Sequence, residues 1–284
     1  MKEKKLITFL LIGTLLLCMP FCLLAQDASG QIIHAKHREG IDYASRGEFK
    51  EAEEWFKKNL ESGSKDATSL GSLAVIRDLN RGEITDKYAV SFFKALNFLQ
   101  DGKTEEGIAH LKTAIEINPG YVRAYNVLAM AYASLGQNDN AIKNFQKAIE
   151  INPQYSEASF NLAALYQSLG KSEEALEFYA KTIKLAPASV DALTNSAAIY
   201  ASLGKFKEAA QYYQEAIKKD SANPDIYYNL ALVYFMSDQL IKFQDNLIRA
   251  QELYRQRHDE KGLQKVAEYM DKIKEIEKRI KHGK

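Results

Sequence analysis

A shift of 34 residues superposes the middle of this chain on itself. Tyr132, Tyr166, Tyr200 and Tyr234 fall in one column, with Ala129, Ala163, Ala197 and Ala231 three places earlier and Gly136, Gly170 and Gly204 four places later. Ala141, Ala175 and Ala209 make a second column, followed four places on by Phe145, Tyr179 and Tyr213; Pro119, Pro153 and Pro187 close successive units. Several columns in phase restrict the chain to a repeat architecture. Within a unit, Leu128, Ala129 and Tyr132 lie at i, i+1 and i+4, one apolar face of a helix. Ala141, Ile142, Phe145, Ala148 and Ile149 draw the same stripe on the helix that follows. Gly136 between them stops the first helix, and so tight a turn sets the two antiparallel. The alanines let helices approach closely while the rings fill the space beside them. One pair cannot bury this surface alone, so units must stack. The apolar periodicity is therefore core and not a cofactor-binding box.

The period and the order of anchors resemble the tetratricopeptide repeat. The resemblance implies an all-α fold, a right-handed solenoid of antiparallel helix pairs, with units near 88–121, 122–155, 156–189, 190–223 and 224–257. It also implies a concave groove lined by the first helix of each pair, whose usual ligands are extended peptides or partner helices. Asn161, Asn195 and Asn229 stand two places before the anchor alanines, where related arrays hydrogen-bond a peptide backbone; Val127 breaks this ladder. An amide suits the task because it offers a main chain both a donor and an acceptor. The neighbouring column holds Asn126, Phe160, Thr194 and Tyr228. The expected groove contacts are thus Asn126, Phe160, Asn161, Asn195, Tyr228 and Asn229. Family members that clamp a C-terminal carboxylate use Lys and Arg near the helix starts. Here that column reads Arg123, Glu157, Asp191 and Asp225, which favours a neutral or basic ligand instead.

The flanks depart from the pattern. Residues 1–25 carry Lys2, Lys4 and Lys5 ahead of an uncharged, largely apolar run from Leu6 to Ala25, which reads as a signal peptide cut after Leu23-Leu24-Ala25 or as an uncleaved anchor. Either reading leaves the lysines on the cytoplasmic side and the repeats in the periplasm or at the cell surface, with membrane contact only if the segment stays. Cys18 and Cys22 follow Leu17 and Phe21, not the small residue that precedes a lipid-modified cysteine. Cleavage at Ala25 removes both, and with them any disulfide or thiolate chemistry. Three lysines and one glutamate leave too, taking Lys+Arg from 38 to 35 and Asp+Glu from 37 to 36, a formal charge of −1. That balance gives no electrostatic reason to expect nucleic acid.

After a linker over 26–36, Gly40, Tyr43, Gly47, Ala52 and Phe56 reproduce the anchors, so 37–66 reads as a first, isolated repeat. Over 67–87 the register slips, which predicts a degenerate half-repeat or an inserted helix. Tandem units then run over 88–257. Thr104 before Glu105 and Glu106, and Ser172 before Glu173 and Glu174, read as hydroxyl caps with acids at the positive helix end. In the last unit Asp238, Phe243 and Leu247 replace the usual glycine, alanine and ring. Residues 258–284 read as a capping helix whose stripe, Leu263 to Ile280, alternatively serves self-association.

Catalytic motifs are missing: there is no Gly-rich phosphate loop, His-Glu-x-x-His or Gly-x-Ser-x-Gly. His34 and His37 share a helix face but lack a third ligand, and the sole tryptophan, Trp55, reads as packed beside Phe56. No enzyme, cofactor or metal is expected. The expected function is a protein-interaction scaffold of the cell envelope that takes a protein or peptide partner. The alternatives are an accessory of a solute-uptake system holding a small ligand or binding protein, and an oligomeric envelope-assembly factor built through the last helix.

Overall fold

The repeat turns are made one way throughout. In a computed structural model, which describes residues 32–61 and 67–281 (side chains 38–61 and 68–270), fourteen helices and no strands occur among the described residues. They are α1 (Ile32–Ser45), α2 (Phe49–Glu61), α3 (Ala67–Asn80), α4 (Asp86–Gln100), α5 (Thr104–Ile117), α6 (Val122–Ser134) and α7 (Asn138–Ile151), then α8 (Ser156–Ser168), α9 (Ser172–Leu185), α10 (Val190–Ser202), α11 (Phe206–Lys219), α12 (Pro224–Met236), α13 (Leu240–Gln256) and α14 (Glu260–Lys281). At the end of α6 the Gly136 N–H donates to the Ala133 carbonyl and the Gln137 N–H to Tyr132, satisfying two orphan carbonyls. Gly136 needs φ 71° to do so. The same pair of bonds recurs at Asp238, from its own N–H to Phe235 and from Gln239 to Tyr234, at φ 58°. Asp is among the side chains that tolerate this region, so the last unit keeps the turn without the glycine.

Thr104 and Ser172 do not cap. Lys103 and Lys171 occupy the cap positions and make no side-chain capping bond, and the hydroxyl residues begin the helices. The left-handed glycine one place earlier fixes where the helix can start, so the cap falls on whatever residue follows it. The acids do lie in the first turns as the dipole favours. Side-chain caps form instead at Ser189 and Asn223, which no left-handed glycine precedes, and at Thr85, three places beyond the left-handed Gly82.

Two compact units divide at Leu169 and Gly170. In each, helix pairs follow one another as an α-solenoid: α4 with α5 and α6 with α7 in the first unit, α10 with α11 and α12 with α13 in the second. Each second helix then carries the next first helix, α5 on α6, α7 on α8, α9 on α10, α11 on α12 and α13 on α14. Ala129, Ala163, Ala197 and Ala231 are sealed, as are Ala141, Ala175 and Ala209, with Phe145, Tyr179 and Tyr213 beside them. The anchor columns are thus core in both units.

The start of the first unit breaks this order. The repeat over 37–66, apart from the others in sequence, is not apart in space: α1 packs directly on α4, while α2 packs on the inserted α3. The α1–α4 contact is antiparallel and polar. Asn97 Nδ2 donates to Asp42 Oδ1 at 2.9 Å and to Ser45 Oγ at 3.1 Å, and Arg38 pairs with Asp101 at 3.2 Å. At its far end α3 is tied to the start of α6, where the Tyr121 hydroxyl donates to Asp78. Trp55 is packed edge-on against Phe56, and its indole N–H donates to Glu39 at 3.1 Å. The segments 1–31, 62–66 and 282–284, including the expected signal segment and most of the linker, lie outside the described residues, as do the side chains of His34 and His37.

At the other end, α14 caps the second unit. Val266 and Tyr269 are buried and Leu263 and Met270 pack against its core. Gly262 admits the Tyr254 ring, since a Cβ there would stand 2.1 Å from Tyr254 Cδ1. The front half of the Leu263–Ile280 stripe is therefore occupied by intramolecular packing. Ile273, Ile276 and Ile280 lie beyond the described side chains.

Candidate functional site

The six expected contacts do not share one environment. In the first unit Asn126, on α6, is 6% exposed, and its amide oxygen accepts from Asn161 Nδ2 on α8 at 3.1 Å. Both amides also lie against the Met130 sulfur, at 3.9 and 3.7 Å. Asn126 is thus a tie between successive first helices and does not offer its amide to a ligand, contrary to expectation. Asn161 and Phe160 stay half-buried. The sequence columns missed this pairing because the two residues are 35 apart, one period plus one place.

In the second unit the helices α10 and α12 carry the remaining three. Asn195 is half-buried, and one of its N–H groups donates to the Tyr179 hydroxyl of α9 at 3.0 Å. Burial pushes that phenol above its ordinary range, with the Asn195 bond working against the shift. Tyr228 was expected to face a ligand, but its ring meets Tyr269 of the capping helix edge-on at 5.9 Å. Burial raises the Tyr269 phenol too, and a hydrogen bond from Tyr228 opposes the rise. Asn229 differs from all of these. It is half-buried and makes no side-chain hydrogen bond among the described residues. Thr194, Ala198 and Phe235 are likewise half-buried on the same two helices, and Asp191 and Asp225 are exposed near their starts. Asp225 accepts from the Tyr254 hydroxyl at 2.6 Å, which leaves it three lone-pair sites.

No group of three or more His, Cys, Asp or Glu residues that could hold a metal occurs among the described residues. No described helix is long and apolar enough to cross a membrane. Arg123, the one cation of its column, stands over the Tyr155 ring at 5.6 Å. Burial pushes the Tyr155 phenol up to about 12 while the guanidinium pulls it down. Arg123 is thus engaged with an aromatic ring.

Sequence families add the deciding observation. Family models described as TPR repeat match residues 129–170 and 197–238, and models described as tetratricopeptide repeat match 110–143 and 156–189. This is a tetratricopeptide-repeat protein. Solved tetratricopeptide-repeat structures share the fold. MamA residues 41 to the end from Desulfovibrio magneticus RS-1 superpose with a TM-score of 0.55 at 20% identity, over 61% of this chain and 98% of that one. YrrB, described as a TPR protein with an unusual peptide-binding site, superposes with a TM-score of 0.52 at 16% identity, over 69% and 99%. A further MamA crystal structure gives 0.54 at 18%, over 58% and 96%. At such identities the likeness is one of fold. No curated protein sequence matches the chain.

Proposed function

We propose that this tetratricopeptide-repeat chain is a non-catalytic interaction scaffold that takes an extended, neutral or basic peptide segment across α10 and α12 of the second unit. Asn229 carries the reading. Its amide is partly open to solvent and unbonded, while the amides of Asn126, Asn161 and Asn195 are engaged within the fold. Asn195 keeps one N–H and its carbonyl for a ligand. The exposed Asp191 and Asp225 set the sign of charge preferred at the helix starts. The peptide-binding site of YrrB supports the class of ligand. We further propose that the repeats act outside the cytoplasm, a reading supported by the basic head and apolar run over 1–25.

Peptides captured from the native envelope and identified by mass spectrometry supply the ligand for the test. Asn229→Ala should weaken binding by about 0.5–1.5 kcal/mol, and adding Asn195→Ala should weaken it further. Unchanged affinity in the double variant would remove the site from α10 and α12. A phosphatase that is active only after export, fused behind Lys284, reports the compartment; an inactive fusion would overturn the envelope reading.

A further inference from the structure

The irregular start of the first unit leaves a recess of about 350 Å³ between α1, α4 and α5, lined by Arg38, Asp42, Lys94, Asn97, Phe98, Asp101 and His110. Aligned by the repeat, two of its columns are buried and without charge elsewhere. Asp42 and Asn97 share the column of Ala131, Leu165, Ile199 and Val233, all at most 3% exposed. Lys94 stands in the column of Leu128, Leu162, Ser196 and Leu230, all at most 4% exposed. Both columns are sealed in the later units and open here, because α2 packs on α3 and not on α4. A merely irregular joint would be served by smaller apolar residues, whereas a half-buried Asp42 raises its desolvation cost. The polar set is placed where the stacking leaves room for a ligand.

The groups are held for use. Asp42 is fixed by Asn97 and Asp101 by Arg38, and each carboxylate keeps free lone pairs. Lys94 is exposed and has no ion-pair partner among the described residues. Phe98 and His110 lie stacked at 5.2 Å and 9°, giving the recess a flat apolar wall. Anions, a free cation and a ring wall, in a volume at the small end of ligand pockets, call for a small zwitterion. We infer that the recess binds a free amino acid, its ammonium on Asp42, which no cation pairs among the described residues, its carboxylate on Lys94, and its side chain beside Phe98. The site shares no residue with α10 or α12, so it stands or falls apart from the peptide-binding proposal.

Calorimetric titration of the full chain with each of the twenty amino acids at neutral pH is the test. At least one should give saturable binding of one molecule per chain. Lys94→Leu, which restores the column residue, and Asp42→Asn should each weaken that binding tenfold or more without lowering the melting temperature. The N-acetyl and amide forms of the same amino acid should fail to bind. No saturable heat from any amino acid, equal binding by both variants, or equal binding of the blocked forms would overturn the proposal. Binding lost together with folding is separated by circular dichroism, and the blocked forms then decide on the unaltered protein.

Discussion

The helices α4 and α12 carry the same anchors and are surrounded differently. In α12, Leu230, Ala231, Val233 and Tyr234 are all sealed, between α11 and α13. In α4, Ala95 is sealed, but the places of Leu230 and Val233 hold Lys94 and Asn97, and the neighbour is α1. The contrast teaches that the repeat pattern fixes a hairpin more firmly than it fixes the neighbour. Packing within a pair is local, joined by a two-bond turn motif, while the partner on the outer face depends on which helix arrives there. One inserted helix, α3, is enough to redirect it.

The comparison can be broken first by base. Burial raises the phenols of Tyr88, Tyr121 and Tyr155 in the first unit and of Tyr179, Tyr213, Tyr254 and Tyr269 in the second. Below about pH 10 these phenols are neutral folded and unfolded alike. Above it the unfolded chain releases protons that the folded chain holds, so stability falls as pH rises. Both units should unfold between about pH 10 and the value near 12 of Tyr155, read by far-ultraviolet circular dichroism. Full helicity at pH 12 would show that the rings are not buried as described.

A matched pair of substitutions then separates cap from insertion. Gly262→Ala drives a Cβ into the sealed Tyr254 ring and should destabilise the second unit by about 2–3 kcal/mol in urea. Gly71→Ala lies in the middle of α3 with nothing within 4 Å of the new atom. It should stabilise the first unit by about 0.5–1 kcal/mol through helix propensity. Effects of the same sign would mean that α14 is not seated as described. Between them in size falls Tyr121→Phe, which removes the bond to Asp78 that ties α3 to α6. A loss of about 1.5 kcal/mol is expected. Hydrogen exchange should quicken in α3 before α6, because Val75 and Ile76 hold the inserted helix to the core with few other sealed apolar contacts.

The sequence by itself determined the helix pairs, their turns and their sealed columns, because each rests on contacts within about one period. Ala197, Tyr213 and Gly204 act through their own hairpin and the next, and a shift of 34 residues displays them all. It also announced the break over 67–87, since the anchors stop there. The tertiary structure alone decided what each polar side chain does. Asn126 and Asn229 differ by one column, yet one is tied to Asn161 and the other left unbonded. Asp42 and Asn97 meet across 55 residues. Tyr228 turned to the cap because α14 sits where a further first helix would lie. An amide or a carboxylate is read by its partner, and partners a period away or farther are set by stacking, which a column of identical letters does not record.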